Sequence, residues 1–175
     1  MAIHRSSLTA SAEPLMHTAQ HHCFGCGEKN RTGLRLRFYV DASGQILCAL
    51  RLPGRFEGPP GYAHGGIVAT LLDEAMSKAN RAQSVAAMTR HLEVDYRRPV
   101  PLRAPIQLMA RHLSADGRKH RCEAEIRNSA GELLARGEAL FIAVEPKRLL
   151  RTAEDAGDGA ANDAGDLRGM PQRRR

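Results

Sequence analysis

Apolar and polar residues alternate over two short stretches near the start of the main body of the chain, at residues 34–40 and 46–52. Alternation with a period of two predicts β-strands that have one buried face. Residues 41–44, which include Asp41 and Gly44, are typical of a turn. The two stretches therefore predict a β-hairpin.

A helical period replaces the alternation in the middle of the chain. Apolar residues recur there at the spacing of one helix face: Ile67, Val68, Leu71, Leu72, Ala75, Met76 and Ala79. They cover about half of the helix circumference and predict a largely buried helix over about residues 65–82. Thr70, Asp73 and Ser77 form a polar stripe on the face away from the core, and Glu74 points about 100° away from that stripe.

Four more strands are predicted after the helix, and tight turns at Asp116-Gly117 and Ala130-Gly131 join the last three. The predicted strands span about residues 87–97, 105–114, 118–128 and 132–144. Two strands, one helix and four strands do not form a doubly wound parallel sheet, which needs a helix between successive strands. The order predicts an α+β fold, with a curved antiparallel sheet of about six strands around one central helix. One sheet covers only one side of that helix, which favours a homodimer or a dimer of dimers.

Composition changes at both ends of this pattern. We expect residues 1–20 to be a flexible segment, residues 21–145 to form one domain, and residues 146–175 to be a disordered charged tail. Serines and threonines near the start are a weak indication of an organelle transit sequence, because only Arg5 supplies positive charge.

The formal net charge of +7 favours anionic ligands, and 42% hydrophobic residues suffice for a core. Nucleic acid is not expected as a partner, because only three Tyr, four Phe and no Trp are available to stack on bases. No apolar run is long enough for a membrane span and no secretory signal is evident, so we expect a soluble, cytoplasmic protein without a membrane partner.

The run His64-Gly65-Gly66 directly precedes the buried helix. Glycines let the backbone approach a ligand closely, and amides in the first turn of a helix have no intrahelical acceptor. Such amides can polarise a carbonyl group. Asp73 adds a carboxylate to the same helix, although a solvated Asp is a common feature of helices.

Four cysteines are present, of which Cys48 and Cys122 fall on the apolar side of predicted strands. Cys23 and Cys26 are spaced as a Cys-x-x-Cys pair and follow His21-His22. A plain turn is the favoured interpretation, since a structural zinc ion needs four ligands and no second pair exists. A zinc knuckle that recruits a histidine and a redox pair remain as alternatives. No metal is expected.

Several motifs occur in an order that resembles the hotdog-fold acyl-CoA thioesterases, specifically the phenylacetate-pathway (PaaI-like) branch and the related thioesterase-superfamily-member proteins. The resemblance covers about residues 22–144. The motifs that carry it are Cys23 to Leu34, Gly61-x-x-His64-Gly65-Gly66, Leu72-Asp73-Glu74-Ala75, Thr89, and Tyr96-x-Arg98-Pro99-Val100-Pro101.

The resemblance implies that Asp73 is the catalytic carboxylate and that the amide of Gly65 or Gly66 polarises the thioester carbonyl. It also implies that Ser77 and Thr89 orient the substrate or the attacking water, and that His64 positions the loop or contacts the substrate. Four arginines are candidates for holding the phosphates of CoA: Arg90, Arg97, Arg98 and Arg103.

We therefore expect a homo-oligomeric thioesterase that hydrolyses acyl-CoA to a free acid and CoA, with no metal or redox cofactor. Asp73 acts as the nucleophile or as a general base. One alternative is a non-catalytic hotdog protein that binds acyl-CoA. Another is a hotdog dehydratase or hydratase, which pairs a histidine with a carboxylate. The acyl group is not predicted by the sequence.

Overall fold

The computed structural model describes residues 12–15 and 22–145, which form one helix, a 3-10 turn and seven strands. The helix is α1 (Gly65–Ala82), and the 3-10 turn is Gly54–Phe56. The strands are β1 (Glu13–Pro14), β2 (Tyr39–Val40), β3 (Ile46–Arg51), β4 (Ala87–Tyr96), β5 (Pro105–Asp116), β6 (Lys119–Asn128) and β7 (Leu133–Ala143).

All described strands belong to one antiparallel sheet with the order β1-β2-β3-β5-β6-β7-β4. Strand β4 follows the helix in sequence but lies at the edge of the sheet, next to β7. The helix packs across the inner face of the sheet. The α+β class and the sheet around a central helix are confirmed.

The bounds of α1 agree with the predicted helix because the apolar positions are buried as the helical period requires. Leu71, Leu72, Ala75 and Met76 are fully buried. Burial of a large apolar side chain stabilises a fold by about 1.5–3 kcal/mol, so this face anchors the helix on the sheet. Gly137 of β7 allows the close approach, since a Cβ there would lie 3.4 Å from Leu72 side-chain atoms.

The first predicted strand, residues 34–40, is wrong except at its end, where β2 begins at Tyr39. Leu36 and Phe38 are buried, so the alternation does reflect one buried face. The backbone before β2 nevertheless bonds to a loop, because Leu36 N donates to Gly25 O. Arg35 also has a φ of 54°, which no regular strand accommodates.

The predicted hairpin and tight turns are confirmed, and Gly117 and Gly131 have φ values of 55° and 82°. Strand β1 lies within the segment expected to be flexible. Residues 1–11 and 16–21, and the expected tail 146–175, lie outside the described residues. Within the described ranges, no helix has the length and apolar character needed to cross a bilayer.

Candidate active site

The start of α1 is fixed by the side chain of His64. This residue has an extended backbone, and its Nδ1 accepts a hydrogen bond of 3.0 Å from the Gly66 amide. The arrangement is an N-cap, and it requires an unprotonated Nδ1. The capping role explains His64 without any contact to substrate.

The two candidate amides therefore differ. The Gly66 amide is occupied by the His64 ring, whereas the Gly65 amide makes no hydrogen bond within the described part of the chain. An amide in the first turn that lacks a partner is available to a ligand, and the helix dipole favours a developing negative charge there. The geometry thus favours Gly65 as the donor.

Tyr96, at the end of β4, adds a hydroxyl group that the sequence reasoning did not assign. Its hydroxyl donates to Gly65 O at 3.1 Å, and the residue is 54% exposed. The contact ties the edge strand to the beginning of α1. Tyr96 and Gly65 are 31 positions apart, so no local sequence pattern predicts their contact.

Asp73 lies on α1 about two turns after Gly65. The Thr89 hydroxyl Oγ1 donates a hydrogen bond of 2.7 Å to the Asp73 Oδ1. Burial raises the pKa of Asp73 and the Glu74 charge adds to this, while the Thr89 hydrogen bond opposes it; the net pKa is above the ordinary value. Thr89, expected to orient the substrate or the attacking water, thus contacts the Asp73 carboxylate itself, a pairing that the sequence analysis did not predict. Ser77 is half-buried, and in the described residues it makes no hydrogen bond to Asp73.

Asp73 and Gly65 are far apart within one copy of the chain. Eight residues separate them on the same helix, which corresponds to about 12 Å along the axis at 1.5 Å per residue. Side chains tilt toward the helix N-terminus, but one carboxylate does not span that length. The structure therefore does not bring the two implied catalytic groups together within one chain.

The four candidate arginines are dispersed. Arg90 is the extra residue of a β-bulge between Thr89 and His91. It lines an open groove of about 420 Å³ on the outer face of the sheet, together with Lys119 and Arg121.

Arg97 lies seven residues further along, about 23 Å for an extended strand, and its Nε contacts Asp95 at 2.6 Å. Arg98 is exposed, and the Arg103 guanidinium lies beside Gly54. These positions do not converge on a single phosphate.

A second polar cluster lies about 100° around α1 from Asp73, at Glu74 and Lys78. Lys78 Nζ approaches Glu74 Oε1 at 2.7 Å, off the ideal hydrogen-bond direction, so the contact is an ion pair. The side chains of Lys78 and Glu74 are only 9% and 13% exposed. Cys23 Sγ lies 3.7 Å from Glu74 Oε2. Glu74 and Lys78 are four residues apart on one helix, a spacing in the sequence that favours an ion pair.

The cluster shifts the titration of its members. Burial would raise the pKa of Glu74, but Lys78 and the neighbouring thiols lower it overall. Burial would lower the pKa of Lys78, but Glu74 raises it overall. Burial, with help from Glu74, raises the pKa of the Cys26 thiol to about 12.

Comparison with known proteins agrees with this architecture. Residues 60–135, which contain α1 and most of the sheet, match the family model described as Thioesterase superfamily. A solved structure of a thioesterase superfamily protein superimposes with a TM-score of 0.67 and 33% identity, over 69% of this chain and 60% of that one. Over α1 and most of the sheet, the chain is therefore similar to the thioesterase superfamily.

Two further proteins are similar to this chain. The Xenopus laevis acyl-coenzyme A thioesterase THEM4 is 32% identical over 110 residues, which are 62% of this chain and 50% of that protein. A single-residue variant of the phenylacetic acid degradation protein PaaI from Thermus thermophilus has the same fold, with a TM-score of 0.56 and 23% identity over 62% of this chain and 93% of that one. The chain spans about half the length of the curated relatives it matches.

Proposed function

We propose that the chain hydrolyses acyl-CoA thioesters to a free acid and CoA. The observation that carries the proposal is the half-buried Asp73 carboxylate, held by Thr89 on a helix whose first amide has no hydrogen-bond partner among residues 12–15 and 22–145. Thioester hydrolysis needs a nucleophile or base and a donor for the developing oxyanion, and these groups supply both. The relatives named acyl-coenzyme A thioesterase support the substrate class.

Two routes are compatible with this carboxylate. In the first, Asp73 attacks the carbonyl carbon, the CoA thiolate leaves and is protonated, and water then hydrolyses the acyl-aspartate anhydride. In the second, Asp73 takes a proton from water as the water attacks the same carbon, and the tetrahedral intermediate then breaks its C–S bond to release the CoA thiolate, which is protonated. In both routes Thr89 positions the Asp73 carboxylate through its hydrogen bond. Neither route uses a metal or redox cofactor.

We propose further that one site uses Asp73 from one copy and the Gly65 amide from another. The separation of about 12 Å along α1 supports this assignment, because a single copy keeps the two groups apart. Strand β4 carries Thr89 and Tyr96 and pairs only with β7 in the described sheet, so its other edge is open. Met88 and Tyr96 on this strand are each 54% exposed, which favours a homodimer through this edge.

We expect specific activity to fall on dilution in parallel with the loss of the dimer, because a monomer contains only half of each proposed site. Sedimentation equilibrium and steady-state rates, measured over the same concentration series, check this expectation. A monomer with full specific activity would contradict the shared site, while leaving Asp73 as a candidate.

The groove lined by Arg90, Lys119 and Arg121 is the proposed place for the CoA phosphates. It combines three cationic side chains with one carboxylate, Asp116, so its charged lining is net positive, and its Arg90 directly follows Thr89 in sequence. Arg97 is a weaker candidate for this role, because its guanidinium is already paired with Asp95.

A panel of acyl-CoA thioesters of different length and aromaticity tests the function directly. We expect release of free CoA thiol from at least one of them, followed with a thiol reagent, and saturation at substrate concentrations below the millimolar range. Tight binding of acyl-CoA without release of thiol would instead identify a non-catalytic acyl-CoA-binding protein.

The acid limb of the pH profile should lie above the range of an ordinary aspartate. Asp73 must be ionised to act, and its pKa is raised by burial, so kcat/KM falls as the pH drops through that raised value. Thr89→Val removes the hydrogen bond that opposes the shift, and we expect it to move the limb to still higher pH. A limb that stays in place in Thr89→Val would argue against Asp73 as the titrating group.

A further inference from the structure

We propose that Cys23, Cys26 and Glu74 form a binding site for a thiophilic divalent cation, with zinc as the best fit. The sequence alone offers two sulfur ligands, which is too few. The fold adds a third ligand from α1, 51 positions away from Cys23. The ligand atoms of these three side chains all lie within 4.8 Å of one another.

The spacing of the atoms suits a tetrahedral ion. Zinc binds sulfur at about 2.3 Å and carboxylate oxygen at about 2.0–2.2 Å, so a tetrahedral angle places the two ligand atoms about 3.5–3.7 Å apart. The distance from Cys23 Sγ to Glu74 Oε2 is 3.7 Å. A Cys-x-x-Cys turn is also a usual source of two thiolates for zinc.

The turn is fixed in position before any ion arrives. Gly27 N donates to Cys23 O at 2.9 Å, and Leu36 N donates to Gly25 O at 2.9 Å. Gly25 lies directly against the Glu74 carboxylate, so that a Cβ at this position would overlap with it. Glycine here lets the helix carboxylate reach the two sulfur atoms.

The charges of the cluster also suit a divalent cation. Lys78 approaches Oε1 of Glu74 and leaves Oε2 for the cysteine side. When a divalent ion replaces the two thiol protons, two positive charges leave as protons and two arrive, so the net charge of the buried cluster does not change. Three protein ligands leave one position of a tetrahedral ion for water, which reaches the site because Cys23 is exposed.

Such an ion would connect the loop before β2 to α1, one residue from Asp73. We assign it the role of holding that loop on the helix, because Glu74 points about 100° around α1 from Asp73. This inference stands independently of the proposed thioesterase activity, and the two fail separately.

The test uses the full chain, treated with chelator, reduced and then freed of both reagents. We expect one zinc ion per chain by elemental analysis after reloading and desalting, and a rise in Tm on loading. Titration with Co²⁺ should give a sulfur-to-cobalt charge-transfer band. Binding should release protons and weaken as the pH falls.

Cys23→Ser is the key variant, because Cys23 is exposed and its loss should not prevent folding. We expect it to lose the charge-transfer intensity of one thiolate and to bind at least tenfold more weakly. Glu74→Asp, which keeps the charge but shortens the side chain, should also weaken binding. Cys48→Ala removes a buried thiol elsewhere and should bind as the unaltered chain does.

Three results would overturn the proposal. One is less than a tenth of an equivalent of metal per chain while thiol titration shows Cys23 and Cys26 to be reduced. Another is equal cobalt binding by Cys23→Ser and the unaltered chain. The third is formation of a Cys23–Cys26 disulfide in air with no metal bound under reducing conditions, which would identify a redox pair.

Discussion

Replacing Asp73 by Asn is expected to lower kcat on the best acyl-CoA by about 10²- to 10⁴-fold, the range for loss of a general base. Asn keeps the shape of the side chain and can still accept the Thr89 hydrogen bond. It cannot attack a carbonyl carbon or take a proton from water. The loss should therefore appear in kcat, with little change in the binding of substrate.

The same substitution should leave the fold intact or slightly more stable. The pKa of Asp73 is raised in the folded chain, which means that folding disfavours its charged form. A neutral amide removes that cost at neutral pH. We expect Tm to stay the same or to rise, and thermal melting beside the kinetics separates lost chemistry from lost structure.

Asp95→Asn is a matched control on the neighbouring strand. Asp95 has a side chain that is 51% exposed and contacts Arg97 at the surface. We expect its kcat to stay within about twofold of the unaltered chain, because exposed ion pairs contribute little energy. Near-normal kcat in Asp73→Asn would show that the catalytic carboxylate has been misplaced.

The sequence was sufficient to predict α1 and most of the sheet because those elements follow a strong local period. The helix bounds agree because the apolar positions at helical spacing are buried: Val68, Leu71, Leu72, Ala75, Met76 and Ala79. The first strand was wrong for a physical reason: alternation reports one buried face, and residues 34–38 bury that face while bonding to the Cys23–Cys26 loop. A period of two does not by itself guarantee a partner strand.

The candidate site was only partly predictable. The motif order implied Asp73 and Thr89, but their hydrogen bond depends on the β-bulge at Arg90 and on β4 lying at the edge of the sheet. The distance from Gly65 to Asp73 follows from helix geometry alone. The bond from the Gly66 amide to the His64 ring depends on how that side chain is oriented, which the sequence does not give. The approach of Cys23 to Glu74 joins positions 51 residues apart, and no local pattern contains it.

Glu74→Gln should cost about 3–5 kcal/mol of folding stability, since it leaves the Lys78 ammonium, 9% exposed, without its counter-charge. For a domain of this size the corresponding fall in Tm is on the order of 10 °C or more. The measurement uses chelator-treated protein, so that a bound metal does not contribute. Any activity that remains, measured at a pH where Asp73 is ionised, should follow the folded fraction, because the hydrogen bond that holds Asp73 comes from Thr89 and not from Glu74.

Glu28→Gln makes the same chemical change in an exposed pair. Glu28 lies 3.8 Å from Arg37, and their side chains are 57% and 77% exposed. We expect a cost of at most about 1 kcal/mol. Equal losses of Tm in Glu28→Gln and Glu74→Gln would contradict the assignment of Glu74 and Lys78 as a buried pair.

The stability that the Glu74–Lys78 pair contributes should depend on pH, and the direction follows from the pKa of Glu74. The pKa of Glu74 is lowered in the folded chain, so its pair with Lys78 stabilises the fold above the unfolded-state pKa of about 4.3. That contribution is lost as the pH falls through the lowered pKa. The difference in stability between the unaltered chain and Glu74→Gln should therefore be full at neutral pH and shrink in acid. Adding Lys78→Met to Glu74→Gln should recover much of the loss, because an apolar side chain of similar length does not need a counter-charge.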